Sequence, residues 1–406
     1  MRRARLPAAA LAFAALGAPA AAPAAPPVLA VRASRLLLAD GSTVAEAVIV
    51  LKGGAVAAMG GGIPIPREAR VLDAAVAAPG FADLWTSVPG GHDAEDPRPF
   101  APGLRVADGL DPADPGARSG AREGVLYRVV LASDRNPLGG RAAAARAAGP
   151  RGMLALAAAD AGGTISVTEA AARRDRFPGS LAGILEGIGA GFDAAARSDG
   201  EGAAPEGDGE FGPGDREALR ALAGGKSPAW IFARSRAEVR AALDISARRR
   251  LAPTLVDPRC SAAELLAAAR GAGLEPSAVR AVLALEADDP AYRLEAAGAL
   301  AAAGVRVAFG SGGGRDADAL RFMAALAVRH GMDPERARGA LLGRGFDLPG
   351  RSPQGLVVGG PADLVLLDGD PIDPASRVLS VIAGGEPVAR DRPGAADGRK
   401  RRGGRE

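Results

Sequence analysis

The chain has 406 residues, 48% hydrophobic and 24% charged, with 50 Lys and Arg against 47 Asp and Glu for a net charge of +3. This is an ordinary globular composition, long enough for one barrel of ~250 residues plus a smaller domain. The near balance of charge argues against a nucleic-acid partner, and a single cysteine, Cys260, excludes an intrachain disulfide and a thiolate metal cluster.

Residues 1–25 read as an export signal. Arg2, Arg3 and Arg5 form a basic start, residues 6–18 an apolar run, and Ala20, Ala22 and Ala24 offer small-residue cleavage sites. Pro19 and Pro23 break the run too early for a membrane-spanning helix, and no cysteine follows to take a lipid anchor. The expected location is periplasmic or extracellular, without a membrane anchor.

Three apolar runs follow, at 28–38, 44–51 and 55–59, separated by the turns Ala39-Asp40-Gly41 and Lys52-Gly53-Gly54. Their spacing predicts a small antiparallel sheet. Next comes Ala78-Pro79-Gly80-Phe81-Ala82-Asp83-Leu84-Trp85-Thr86-Ser87-Val88. Here a Pro-Gly corner releases a short strand, and Trp85 and Ser87, two apart, point to one face at its end.

From there to about residue 350, short apolar runs alternate with helix-like stretches, as βα units do. Strands are predicted at 125–131, 153–159, 229–233 and 305–309, and helices at 236–249, 262–272 and 317–330. Residues 193–215 hold Gly, Ala, Glu, Asp and Pro with little to bury, the composition of a disordered insertion. Toward the end, residues 354–368 read as two short strands around Gly359-Gly360-Pro361, and 378–383 as a third before Gly384-Gly385. The tail 391–406, with Arg399-Lys400-Arg401-Arg402, reads as a solvated basic end.

Two stretches carry a family resemblance. Pro79-Gly80-Phe81-Ala82-Asp83-Leu84-Trp85-Thr86 resembles the first barrel strand of metal-dependent amidohydrolases. Gly355-Leu356-Val357-Val358-Gly359-Gly360-Pro361-Ala362-Asp363-Leu364-Val365-Leu366-Leu367-Asp368 resembles the carboxy-terminal sheet of the same superfamily. The segments around Arg105–Pro112 and Asn136–Gly140 are similar to its imidazolonepropionase-related branch. The resemblance implies an α/β fold: a (β/α)8 TIM-type barrel over residues 79–350, with a composite β-sheet domain assembled from 26–78 and 351–390. It also implies hydrolysis of non-peptide carbon–nitrogen bonds at a metal centre.

At the positions where the resemblance places metal ligands, this sequence has other residues. The two first-strand histidines fall on Trp85 and Ser87, a middle-strand histidine on Phe232, the next near Asp257, and the final aspartate on Gly312. Where a bridging lysine belongs stand Arg141, alanines and Arg146, and arginine stays protonated. Only two histidines exist: His92 in a polar loop and His330 at a helix end, where its imidazole suits the helix dipole. A makeshift site for one metal would join His92 with Asp257, Asp316 and Asp318. Neither a Gly-x-Ser-x-Gly elbow nor a complete phosphate-binding loop is present; Gly310-Ser311-Gly312-Gly313-Gly314 lacks the Gly-Lys-Ser/Thr ending. Trp85 and Phe232 either fill the space of the ion at the barrel mouth or simply point into the core. The expectation is a pseudoenzyme without catalytic residues, metal or cofactor, binding a small molecule or pairing with an active relative. The alternatives are an active hydrolase with an unconventional mononuclear zinc site, an exported small-molecule-binding module, and a drifting protein without a retained role.

Overall fold

The computed structural model describes residues 28–87, 95, 97–197, 211–285, 293–312, 319–352 and 355–389. The first strands are β1 (Leu29–Leu37), β2 (Thr43–Lys52), β3 (Ala55–Gly61), β4 (Arg70–Pro79) and β5 (Phe81–Thr86). After helix α1 (Pro115–Arg122) come β6 (Val125–Val130), β7 (Leu138–Arg141), β8 (Ala143–Ala148), β9 (Met153–Ala158) and β10 (Gly163–Ser166). Helices α2 (Leu181–Ala196) and α3 (Pro213–Leu222) lead to β11 (Pro228–Phe232), α4 (Arg236–Arg249), β12 (Ala252–Val256), α5 (Ala262–Gly271) and β13 (Arg280–Leu283). The chain then runs through α6 (Ala296–Ala302), β14 (Arg306–Phe309), α7 (Ala319–Arg329) and α8 (Pro334–Leu341) to β15 (Leu364–Leu367), β16 (Val378–Ala383) and β17 (Glu386–Pro387).

One seven-stranded sheet has the order β17-β16-β15-β4-β1-β2-β3, so strands from both ends of the chain share it. The joint is the antiparallel pairing of β15 on β4, with Leu364 opposite Pro79 and Leu367 opposite Val76. Its apolar face buries Val31, Ile49, Leu51, Leu364 and Ile382 in a core of its own. Of the two strands expected over 354–368, only β15 forms; Leu356–Val358 run without strand pairing up to the Gly359-Gly360 turn.

Seven strands, β5, β6 and β10 to β14, run parallel within their sheets, each buried and most followed by a helix, as βα units require. The expected closed barrel of eight strands does not form among the described residues. The strands divide into β14-β13-β12-β11-β10-β7 and β5-β6-β8-β9. The cause lies in β7 and β8, which pair antiparallel to β10 and β6 and occupy the edges those two strands would present to each other. The Gly139-Gly140 pair lies inside β7, and the alanine run after it is strand β8. At the other seam, the backbone N–H of Gly312 donates to the Trp85 carbonyl at 2.9 Å and that of Ser311 to Asp83 Oδ1 at 2.9 Å, holding the end of β14 against β5.

The expected insertion at 193–215 is narrower among the described residues. Helix α2 continues through Ala196, and α3 opens at Pro213, where the buried Asp215 accepts N–H bonds from Gly103 at 2.8 Å and Gly212 at 3.0 Å. The leader 1–25 and the tail 391–406 lie outside the described residues. No helix among them is long and apolar enough to cross a membrane.

Candidate functional site

Strand β5 follows directly from β4 through Gly80, which the chain needs for a close approach. A Cβ there would stand 2.6 Å from the Leu126 side chain on β6. Along β5, Phe81, Asp83 and Trp85 face one way. Asp83 is fully buried, takes N–H bonds from Ser311 and Trp85, and lies 3.4 Å from Arg128 Nη1 on β6. Burial pushes its carboxyl pKa up against the pull of Arg128, and burial likewise draws the Arg128 guanidinium down. Asp83 is thus the internal brace of the strand end, as a structural aspartate should be.

Above Asp83, the half-buried Trp85 meets Phe232 at the end of β11 edge to face, ring centroids 5.6 Å apart and planes at 73°. Gly312 lies under the same indole: a Cβ on it would stand 3.4 Å from Trp85 Cη2. Three positions far apart in sequence, Trp85, Phe232 and Gly312, therefore converge at one point beside the ends of β5, β11 and β14. Ser87 follows β5 and is half-buried. The Gly310-Ser311-Gly312 stretch is no phosphate cradle, since its N–H groups at 311 and 312 are taken by Asp83 and Trp85.

Beside this aromatic contact lies an ionic cluster. Parallel register sets Phe232 opposite Val256, so Asp257 sits one step beyond the end of β12. It is 1% exposed and adopts φ 59°, a left-handed conformation rare outside glycine, asparagine and aspartate. Its Oδ2 accepts from Arg234 Nε at 2.9 Å and from Arg259 Nε and Nη2 at 3.1 and 2.8 Å, while Oδ1 is buried with no partner. Arg234 also reaches Asp134 at 2.7 Å. Burial works against its charge, but Asp257 and Asp134 outweigh it and hold the guanidinium above its ordinary pKa. None of these partners was legible as a group in the sequence. Arg234 and Asp257 meet only through the register of two parallel strands.

Two arginines stand near the position of the expected bridging lysine, and neither faces the aromatic contact. Arg141 pairs with Asp160 at 3.4 Å, and Arg146 reaches Asp363 at 3.2 Å in the seam with the seven-stranded sheet. Cys260 is buried, and burial, then Glu264, push its thiol up to about 11, so it stays protonated near neutrality. His330 is exposed just past α7, its N–H on the carbonyls of Leu326 and Ala327. His92, Asp316 and Asp318 lie outside the described residues.

A metal centre of the kind the resemblance implies needs several imidazole or carboxylate donors converging on one point. The residues here do not fit one. Trp85, Phe232 and Gly312 offer no donor side chain; of the two carboxylates beside them, Asp83 is taken by the N–H groups of Ser311 and Trp85 and by Arg128, and Asp257 stands against two guanidinium groups with only Oδ1 unbonded. Among the described residues no three His, Cys, Asp or Glu side chains are grouped to hold an ion.

No family model matches the sequence, and no curated protein matches it. The fold does have counterparts of known structure. An amidohydrolase from Thermotoga maritima MSB8 superposes with a TM-score of 0.72 at 19% identity, over 89% of this chain and all of that one. An uncharacterized protein superposes at TM-score 0.50 and 16% identity, over 90% of this chain and all of that one. The chain shares its mixed α/β fold with that amidohydrolase over nearly its whole described length.

Proposed function

We propose that this chain is an amidohydrolase-superfamily protein, related to the imidazolonepropionase branch, that has lost metal-dependent C–N hydrolysis and acts by binding. The observation that carries this reading is the edge-to-face contact of Trp85 and Phe232. The family pattern asks for imidazoles at those positions, and two packed rings occupy the space instead. Without a metal, no group among the described residues at this point lowers the pKa of water to near neutrality. Function lives in the site rather than in the fold, so the hydrolase scaffold alone does not bring the activity. Under this reading the protein is exported through residues 1–25 and serves an active relative or a small-molecule ligand.

The test is elemental analysis of the purified protein after growth and purification with zinc supplied. The expected outcome is transition metal far below one equivalent, and no turnover of amide or cyclic-amide substrates with zinc added. A stoichiometric metal whose removal abolishes turnover would overturn the proposal. Recovery of no amidohydrolase on co-purification from the native host would remove the partner from it.

A further inference from the structure

A pocket of about 510 Å³ opens beside the aromatic contact, between the segment after β10 and the first turns of α4 and α5. Its size falls in the range of roughly 300–1,000 Å³ typical of small-molecule sites. None of Trp85, Ser87, Phe232 and Gly312 lines it. Its floor is the guanidinium pair Arg234 and Arg259, fixed in place by Asp257. Its rim carries Arg236 and Arg293, both exposed.

The charges on this lining are unequally committed. Glu238 closes the capping box of α4, taking the N–H groups of Arg234 and Ser235 at 2.7 and 2.8 Å and that of Glu169 at 3.2 Å. Glu264 does the same for α5, accepting from the Ser261 N–H and hydroxyl at 3.0 Å each. The Ser261 bonds first, and then Arg236 and Arg293, hold the Glu264 carboxyl below its ordinary pKa, which places both arginines around it. Arg236 and Arg293 make no hydrogen bond or salt bridge among the described residues, and Nη1 of Arg234 is also unused. Against these donors stand the Glu169 carboxylate and Oε1 of Glu264, whose Oε2 alone takes the Ser261 bonds. Two helix N-termini that open on the same space add partial positive charge.

We infer that this pocket binds a small anion of the carboxylate or phosphate class, held by Arg236 and Arg293 at the rim and by Arg234 at the floor. Guanidinium forks match the paired oxygens of either group. The binding rests on these side chains and on no metal. Stoichiometric zinc would therefore sink the function proposed above and leave this inference standing.

Calorimetric titration of the full chain at low salt, with inorganic phosphate and separately with succinate, tests it. Saturable binding of at least one is expected, weakening steeply as salt is added. Phosphate alone would mark a phosphoryl ligand and succinate a dicarboxylate. In an R236Q/R293Q double variant, affinity should fall tenfold or more. Both positions are exposed, so the melting temperature should not move. No saturable binding of either anion, or equal binding by the double variant, would overturn the inference.

Discussion

Asp363 and Asp257 are both buried aspartates that answer to arginines, yet they are built in opposite ways. In the seam between the seven-stranded sheet and β6 and β8, both oxygens of Asp363 are used. Oδ2 accepts from the Tyr127 hydroxyl at 2.6 Å, and Oδ1 accepts from Gly384 N–H at 2.6 Å and Arg146 at 3.2 Å. Arg351 closes the group from above, 5.3 Å over the Tyr127 ring. At the ends of β11 and β12, Asp257 crowds three donors onto one oxygen, leaves the other bare, and holds a left-handed backbone. A complete network stabilises a joint. An incomplete one in a strained backbone marks a place where stability has been set aside, and such places gather at sites of recognition.

The same substitution at both positions breaks or sharpens this contrast. Asp363→Asn removes the charge that Arg146 and the Tyr127 hydroxyl rely on, and should cost about 3 kcal/mol in urea unfolding. Asp257→Asn keeps a residue that tolerates the left-handed conformation, and its arginines retain partial solvent access, so the loss should be nearer ~1 kcal/mol. Equal losses would erase the distinction between joint and site.

A smaller effect concerns the thiol beside the pocket. The folded Cys260 pKa stands at about 11 against an ordinary 9.0. Its contribution to stability is whole below pH 9 and is lost as pH climbs toward 11, because the unfolded thiol ionises first. Cys260→Ala should therefore flatten the alkaline fall in stability by on the order of 1–2 kcal/mol, read from unfolding curves at pH 8 through 11.

The two regions also differed in how far the sequence disclosed them. The seam was legible because its signals are local: the Pro79-Gly80 corner, the Gly359-Gly360-Pro361 turn and the short apolar runs beside them. Trp85, Phe232 and Gly312 were named together only through the resemblance; strand alternation alone does not bring three strand ends to one point, which the contacts of the Trp85 ring show. What alternation could not supply was pairing across strands. Arg234 with Asp257 depends on parallel register, and Arg146 with Asp363 on two segments 217 residues apart. The open barrel was hidden for another reason. Alanine is a weak strand former, so Ala143–Ala148 carries no strand signal until β6 and β9 flank it on both sides.

The pairing of β15 on β4 has a consequence for the order of assembly. Every residue of the parallel-strand region must be synthesised between one partner and the other, so this contact is among the most distant in the chain. Until Leu364 to Leu367 emerge, β4 presents an open edge on that side and the apolar face under Ile49 and Leu51 stays incomplete. A ribosome-bound chain stopped short of Leu364 would hold a sticky, unfinished sheet. Completion of the last strands is thus the event that makes the first ones safe from aggregation.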